Sequence, residues 1–297
     1  MAELTTTESL QFLETILHIE SPMDNLKSDR VAFLGELIRA FLHTIPFQSL
    51  TLVATPDEEK HVPTFEEIKA NMFARRGGLC FELNYFMKAL LVALGYEAYN
   101  IVADITDPED HVGTIVQNLT ADASIHLVEV GMGHPILFPI PLDFEQESPV
   151  YNSSFLTYKF VKSDKGTIVL MVSPHEFSKY TADQLVGGWL PFEEFTTEPV
   201  GLERLSKNMA QIYTPVTKPL PGSFSFATSP RANDFRHDRL VAIKDTSLLL
   251  EDATGKVVKT KLSNREEWLK AYDEHFPHIS RDLLEKVLKN IELFGSK

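Results

Sequence analysis

The spacing of apolar residues predicts helices in the first third of the chain. Leu, Ile and Phe recur every three or four positions, as on the buried face of a helix. Capping residues, a proline or a glycine mark the ends of these runs. The predicted helices are residues 10–19 after the capping box Thr5-x-x-Glu8, a helix from Ser28 to Pro46, residues 65–73 after Thr64, and residues 80–94 before Gly95.

The pattern becomes shorter, β-branched and interrupted by Asp, Asn, Pro or Gly after residue 95. Such segments indicate an antiparallel sheet or a small barrel. Later patterns predict a helix over 191–213, a loop over 214–234 and strands over 239–262 with a turn at Thr254 and Gly255. The predicted strands of the middle region are 97–105, 111–119, 124–131, 154–162 and 166–172, and two final helices are predicted at 264–276 and 280–294.

These elements predict an α+β fold in three parts: helices over 1–95, an antiparallel sheet or small barrel over 96–210, and mixed strands and helices over 211–297. The net charge is −14, and Lys and Arg are scattered. Binding to nucleic acid or an anionic membrane surface is therefore not expected. One cysteine excludes an intrachain disulfide, and we find no signal peptide or membrane-spanning run, which predicts a cytoplasmic protein.

The chain places that single cysteine in the stretch RRGGLCFELN, residues 75–84. The paired glycines allow a tight turn, and a helix is predicted to begin at Cys80. Unpaired N–H groups and the helix dipole favour a thiolate at this position. A buried, unreactive cysteine is the simpler interpretation of a lone thiol. The surrounding turn nevertheless favours a nucleophile.

A thiolate nucleophile needs a histidine, and the histidine needs an acceptor that orients it. His111 opens one predicted strand, while His126 and Glu129 lie in another. Side chains alternate along a strand, so His126 and Glu129 point to opposite faces. His111, on a neighbouring strand, is therefore a reasonable partner for Glu129.

Several motifs together resemble the arylamine N-acetyltransferase family. RRGGLCFELN resembles the family signature RGG-x-C-x-E-x-N, and HTIPFQSL (43–50) resembles its P-F-E-N-L segment. HVGTIVQN (111–118), VEVGMG (128–133) and FATSPRANDFRHDRLVAI (226–243) resemble the segments that carry the histidine, the acidic residue and an S-T-S-P stretch. The order of the motifs, the length of the chain and its order of helices, sheet and mixed part also fit this family. The resemblance therefore implies an N-terminal helical bundle (1–95), a central antiparallel β-barrel (96–210) and a C-terminal α/β lid (211–297).

The resemblance implies a cysteine-protease-like core of Cys80, His111 and Glu129. It places the acceptor pocket at Phe47, Gly131, Met132 and Gly133, and contacts to cofactor phosphates at Ser225, Thr228 and Ser229. Arg76, Gly77 and Gly78 match the turn before the nucleophile, and Glu82 and Asn84 match the helix that supports it. The implied substrates are acetyl-coenzyme A and a small aromatic amine or hydrazine. No metal is implied, and we expect a monomer or weak homo-oligomer.

Three features depart from the family pattern. Glu129 replaces the usual aspartate, and Met132 replaces a common phenylalanine. The acidic run Asp107-Pro108-Glu109-Asp110 precedes His111 where small residues are usual. Because the Glu129 carboxylate lies one methylene further out, we expect a working triad with altered pKa values. We also expect repulsion between the acidic run and an anionic thioester.

The implied activity is ping-pong transfer of an acetyl group through an acetyl-cysteine. Three alternatives stay open at the level of sequence. A related amide synthase would acylate the same cysteine with a polyketide chain, and a thiol hydrolase would use the same three groups. A divergent homologue would bind acyl-coenzyme A or an aromatic ligand without turnover.

Overall fold

The structure, a computed structural model, describes residues 3–175, 178, 180–213 and 226–294. Most of its helices lie in the N-terminal third, and most of its strands follow residue 96. The helices are α1 (Thr6–Gln11), α2 (Pro22–Ser28), α3 (Arg30–Thr44), α4 (Leu50–Ala54), α5 (Phe65–Phe73), α6 (Cys80–Ala93), α7 (Leu202–Tyr213), α8 (Arg265–His275) and α9 (Arg281–Asn290). A π-helical turn, Phe12–Ile16, continues α1.

The strands form two antiparallel sheets within the described ranges. Their bounds are β1 (Phe47–Gln48), β2 (Glu97–Asp104), β3 (His111–Gln117), β4 (Ile125–Val128), β5 (Ile140–Pro141), β6 (Tyr151–Ser153), β7 (Leu156–Lys162), β8 (Ile168–Val172), β9 (Leu190–Phe195), β10 (Arg231–Asp234), β11 (Val241–Lys244), β12 (Ser247–Glu251) and β13 (Val257–Lys261). The larger sheet has the order β5-β4-β3-β2-β9-β8-β7-β6, and the smaller one β1-β10-β11-β12-β13.

The predicted α+β class is confirmed, and the predicted barrel is present as a curled, open sheet whose edges are β5 and β6. The division at residues 95 and 210 stays a prediction. Strand β1 comes from the N-terminal third but pairs with β10, where Phe47 faces Asn233 and Gln48 faces Ala232. The smaller sheet therefore needs backbone from both ends of the chain.

Local signals located the helices around the nucleophile correctly. Thr64 caps α5 in a reciprocal capping box with Glu67. Helix α6 begins at Cys80, and Gly95 follows its end with φ +83°. In the described residues, buried apolar side chains form three clusters, and the largest contains Cys80 together with side chains of α3, α5 and α6. The nucleophile's helix is thus packed into the main core.

Two predicted elements are wrong. Residues 190–195, assigned to the start of a helix over 191–213, form strand β9, and only α7 is helical in that stretch. Helix α3 is capped by Asp29, whose carboxylate accepts the N–H groups of Val31 and Ala32. Ser28 instead ends α2, which the sequence did not predict.

The predicted loop over 214–234 lies partly outside the described residues. Its final segment, Arg231–Asp234, is strand β10. None of the helices in the described ranges is both long enough and apolar enough to cross a bilayer.

Replacing Thr64 with alanine should lower the free energy of unfolding by about 1 kcal/mol, because the Glu67 N–H loses its capping oxygen. Urea denaturation at constant temperature measures this change. Thr120→Ala, at an exposed threonine in a turn, is the control and should stay within about 0.5 kcal/mol of the parent. Equal losses in both variants would contradict the capping role.

Candidate active site

The turn before Cys80 is bonded to the segment that becomes β1. The Gln48 N–H donates to the Gly78 carbonyl at 2.8 Å, and the Gly78 N–H donates to the Pro46 carbonyl at 3.3 Å. Gly77 has φ +70°, and a Cβ there would lie 1.8 Å from the Pro46 oxygen. Glycine is therefore required at residue 77, and the turn fixes where α6 and Cys80 begin.

The backbone after β4 lies directly against the nucleophile. A Cβ on Gly131 would be 2.8 Å from the Cys80 Cα and 2.5 Å from Nδ2 of Asn84. Glycine is the residue that permits this contact. It brings the chain that carries Glu129 to the first turn of α6.

Glu129 and His111 form a buried pair. Nε2 of His111 lies 2.9 Å from Oε2 of Glu129, and the two side chains are 3% and 0% exposed. Burial opposes charge on the imidazole, but the Glu129 carboxylate and hydrogen bonds with Cys80 and Glu129 outweigh it and raise the pKa of His111 well above its usual range. Because Nε2 faces Glu129, Nδ1 is the nitrogen that can serve the thiol.

Asn84, one turn after Cys80, holds the carboxylate in place. Its Nδ2 donates to Oε1 of Glu129 at 2.9 Å and to the Val112 carbonyl at 2.6 Å. The Val130 N–H donates to Oδ1 of Asn84 at 3.3 Å, and the Gly131 N–H donates to Oε1 of Glu129 at 2.6 Å. Both carboxylate oxygens of Glu129 therefore have partners, which offsets the cost of burying a charge.

A second buried carboxyl, Glu193 on β9, lies beside the same imidazole. Its Oε1 is 3.7 Å from Nε2 of His111. The sequence analysis did not identify this residue, because it placed residue 193 in a predicted helix instead of a strand. Ligand atoms of His111, Glu129 and Glu193 lie within 4.8 Å of one another, a spacing that a metal ion can also use. Nε2 of His111 is bonded directly to Oε2 of Glu129 at 2.9 Å, an arrangement suited to proton chemistry.

The predicted acceptor-pocket residues lie close to one another and to the nucleophile's turn. Phe47 is half-buried, and its ring centroid is 6.0 Å from that of Phe226. Met132 is also half-buried and packs against the core of the larger sheet. Gly133 has φ +72°, and a Cβ there would be 3.2 Å from Oδ1 of Asn233 and 3.7 Å from the Phe47 ring.

The structure describes two of the three residues that are predicted to contact cofactor phosphates. Ser225 lies outside the described residues, and Thr228 is exposed. The Ser229 hydroxyl donates to Oδ1 of Asp245 at 2.7 Å and accepts from the Arg231 guanidinium at 2.9 Å. These two bonds hold the Ser229 hydroxyl within its own turn. Its contact with a cofactor stays a prediction.

The acidic run before His111 is mostly engaged in local bonds. The Asp110 carboxylate accepts the backbone N–H groups of residues 105–107 at 2.8, 3.0 and 2.9 Å. Glu109 binds Arg204 and Asn208 on α7, and the bond from Arg204 lowers the pKa of Glu109. Two of the three carboxylates thus have partners that reduce the repulsion expected from the sequence.

A separate cavity of about 270 Å³ lies beside the nucleophile's turn. Cys80, His111 and Glu129 do not line it. Its walls include Gln48, His61, Arg76, Leu79, Glu82 and Tyr213. Oε2 of Glu82 accepts the Leu79 N–H and the Tyr213 hydroxyl, each at 2.9 Å. The buried Glu82 therefore caps the N-terminus of α6 and ties it to Tyr213 of α7.

Comparison with known proteins agrees with this arrangement. A family model described as N-acetyltransferase matches residues 30–281. YvcN of Bacillus subtilis (strain 168), described as an uncharacterized acetyltransferase, is 29% identical over 198 residues, which is 63% of this chain and 70% of YvcN.

Two solved structures share the fold. The arylamine N-acetyltransferase of Mycobacterium marinum, in complex with CoA, is 17% identical with a TM-score of 0.73, covering 93% of this chain and 96% of that one. An arylamine N-acetyltransferase of Bacillus cereus, described with a unique Cys-His-Glu catalytic triad, is 21% identical with a TM-score of 0.68, covering 91% of this chain and 97% of that one.

The pH dependence of stability tests the burial of Glu82. Burial raises the pKa of Glu82 from 4.5 to about 7, although bonds from Leu79, Tyr213 and Asn71 lower it. The folded state therefore holds this proton more tightly than the unfolded state, and stability is lost as pH rises from about 4.5 to about 7. The free energy of unfolding of the parent should fall by roughly 3 kcal/mol over this range, and Glu82→Gln should abolish that fall. Denaturant unfolding on both sides of neutrality measures the difference.

Glu145→Gln, at an exposed carboxylate, is the matched control and should leave the pH dependence as in the parent chain. If Glu82→Gln keeps the parental pH dependence, the raised pKa of Glu82 is wrong.

Proposed function

Because this chain belongs to the arylamine N-acetyltransferase family, we propose that it transfers an acetyl group from acetyl-coenzyme A to small aromatic amines or hydrazines through Cys80. The observation that carries this proposal is the position of Cys80 at the first residue of α6, beside a His111 whose Nε2 is bonded to Glu129. Interaction with both Glu129 and Cys80 raises the pKa of His111. The complex of the Mycobacterium marinum relative with CoA supports the choice of donor.

In the first half of the proposed reaction, the Cys80 thiolate attacks the acetyl carbonyl. The carbon–sulfur bond to coenzyme A breaks, and the His111 imidazolium gives its proton to the leaving thiolate. The N–H groups of the first turn of α6 have no partner within the helix, so they suit the transient oxyanion. The products of this half are acetyl-Cys80 and free coenzyme A.

In the second half, the amine attacks the acetyl-cysteine carbonyl and neutral His111 accepts the proton from the amine nitrogen. The bond from carbon to the Cys80 sulfur breaks, which releases the acetylated amine and restores the thiolate–imidazolium pair. Glu129 holds the imidazole and stabilises its positive charge in both halves. The Cys-His-Glu triad described for the Bacillus cereus relative supports glutamate in this role.

Brief mixing with acetyl-coenzyme A should add one acetyl group to the chain, seen by intact-protein mass spectrometry and mapped to Cys80. An aromatic hydrazine added afterwards should clear the adduct, since the two half-reactions are separate in ping-pong transfer. Cys80→Ser, the matched control, should not release free coenzyme A.

The presence of the adduct and the rate at which it is lost also separate the alternatives. No adduct with acetyl-coenzyme A, combined with tight binding of coenzyme A, would overturn the transferase in favour of a binding homologue. An adduct lost to water as fast as to the hydrazine would favour a hydrolase.

Glu129→Gln should lower the rate of acetyl transfer by about 10²- to 10⁴-fold. One oxygen of Glu129 accepts from Asn84 and Gly131 and the other faces His111, so a glutamine amide nitrogen meets an N–H donor in either orientation. Steady-state turnover with a fixed hydrazine measures the loss. Glu145→Gln should retain the parental rate, and near-parental turnover by Glu129→Gln would remove Glu129 from the mechanism.

A further inference from the structure

Glu193 lies on β9, far from Cys80, His111 and Glu129 in sequence, yet its carboxyl lies beside the His111 imidazole. In the larger sheet, Phe195 of β9 faces Ala103 of β2, and Ala103 faces His111 of β3. This register brings β9 within reach of the start of β3. Glu193, two residues before Phe195, places Oε1 3.7 Å from Nε2 of His111.

The environment of Glu193 is unusual for an acidic side chain. It is 3% exposed, and its Oε2 has no hydrogen-bond partner within the described part of the chain. A buried polar atom without a partner costs stability, so such a group calls for an explanation beyond packing. Its register partner on β8, Leu170, supplies an apolar wall.

The titratable groups around Glu193 come from four segments. His111 and Asp110 lie at the start of β3, and Glu129 follows β4. Cys80 reaches the same imidazole from α6. His134 lies against Phe192, and burial lowers the pKa of His134 to about 3, so it stays neutral. His111 is thus the positive partner of this group at neutral pH.

We propose that Glu193 is a positioning residue: its buried carboxyl, 3.7 Å from Nε2 of His111, sets the charge of that imidazole. Nothing in the family signature or in the motifs quoted above assigns a role to this residue. The kinetic part of this inference rests on the proposed function, whereas the effect on His111 does not.

The charge balance of the site gives the physical reason. Glu129 and Asp110 already place carboxyl groups near Glu193, and the His111 imidazole lies beside it. A second ionised carboxylate at this depth is opposed by burial and by Glu129 and Asp110, although the His111 imidazolium favours it, and together these raise the pKa of Glu193. Once ionised at higher pH, Glu193 adds a negative charge beside Nε2 and makes the imidazole harder to deprotonate.

The direct test is a titration of the His111 ring by NMR, with histidine labelled at Cε1 and the signal assigned by its loss in His111→Asn. Over about pH 6 to about pH 10 the parent should titrate in a broadened curve, because two interacting groups share the range. In Glu193→Gln the His111 titration curve should narrow to one step, and its midpoint should move to lower pH. The reason is that a neutral amide cannot stabilise the imidazolium as a carboxylate does.

Two further variants separate this effect from a structural one. Glu194→Gln changes the neighbouring strand residue, which is bonded to Thr167, and should leave the His111 titration as in the parent. Glu193→Asp keeps a titratable carboxyl, so it should retain the broadened curve even if Glu193→Gln folds poorly. A His111 titration with the same midpoint and width in parent, Glu193→Gln and Glu193→Asp would overturn the proposal.

The pH profile of acetyl transfer supplies the kinetic readout. The alkaline limb of kcat/KM should move to lower pH in Glu193→Gln in parallel with the His111 midpoint, because the imidazolium protonates the leaving thiolate. An unmoved limb together with a moved NMR midpoint would overturn the kinetic part. If no acetyl transfer is found at all, the NMR titration still decides the effect of Glu193 on His111.

Discussion

The buried carboxylate of Glu129 is the constraint on which the rest of the site depends. A charge with no exposed surface is tolerated only when every lone pair has a partner, and here those partners come from separate parts of the fold. Asn84 supplies one from α6, Gly131 supplies one from the backbone after β4, and His111 supplies one from β3. Satisfying this one group therefore fixes helix and sheet relative to each other.

The same requirement explains the side chains around the carboxylate. The side chain of residue 84 must both donate and accept hydrogen bonds. Asn84 does so by donating to Glu129 and Val112 and accepting from Val130. Its backbone carbonyl accepts from Asn100 and Thr114, which ties α6 to β2 and β3 as well. Gly131 has no room for a side chain. An amide network of this kind is rigid because losing any member leaves a buried polar group without a partner.

Sequence patterns predicted the elements whose signals are local. Thr64 and Gly95 marked the ends of α5 and α6 because capping and positive φ are properties of one or two residues. The placement of Cys80 at a helix start followed from the glycine pair. Strand β9 was missed because its glutamates favour a helix locally, and it becomes a strand only by pairing with β2 and β8. Glu193 was missed with it, since only the sheet register brings residue 193 to residue 111.

Strand β1 has a consequence for the order in which the chain can acquire its shape. The two residues of β1 are bonded on one side to the glycine turn and on the other side to β10. Their partners in β10 lie about 185 positions later in the chain. On a ribosome, the N-terminal helices emerge and pack long before residues 231–234 exist outside the exit tunnel. The edge of β1 thus stays unpaired through most of synthesis, and the nucleophile's turn receives its outer support as one of the last events of folding.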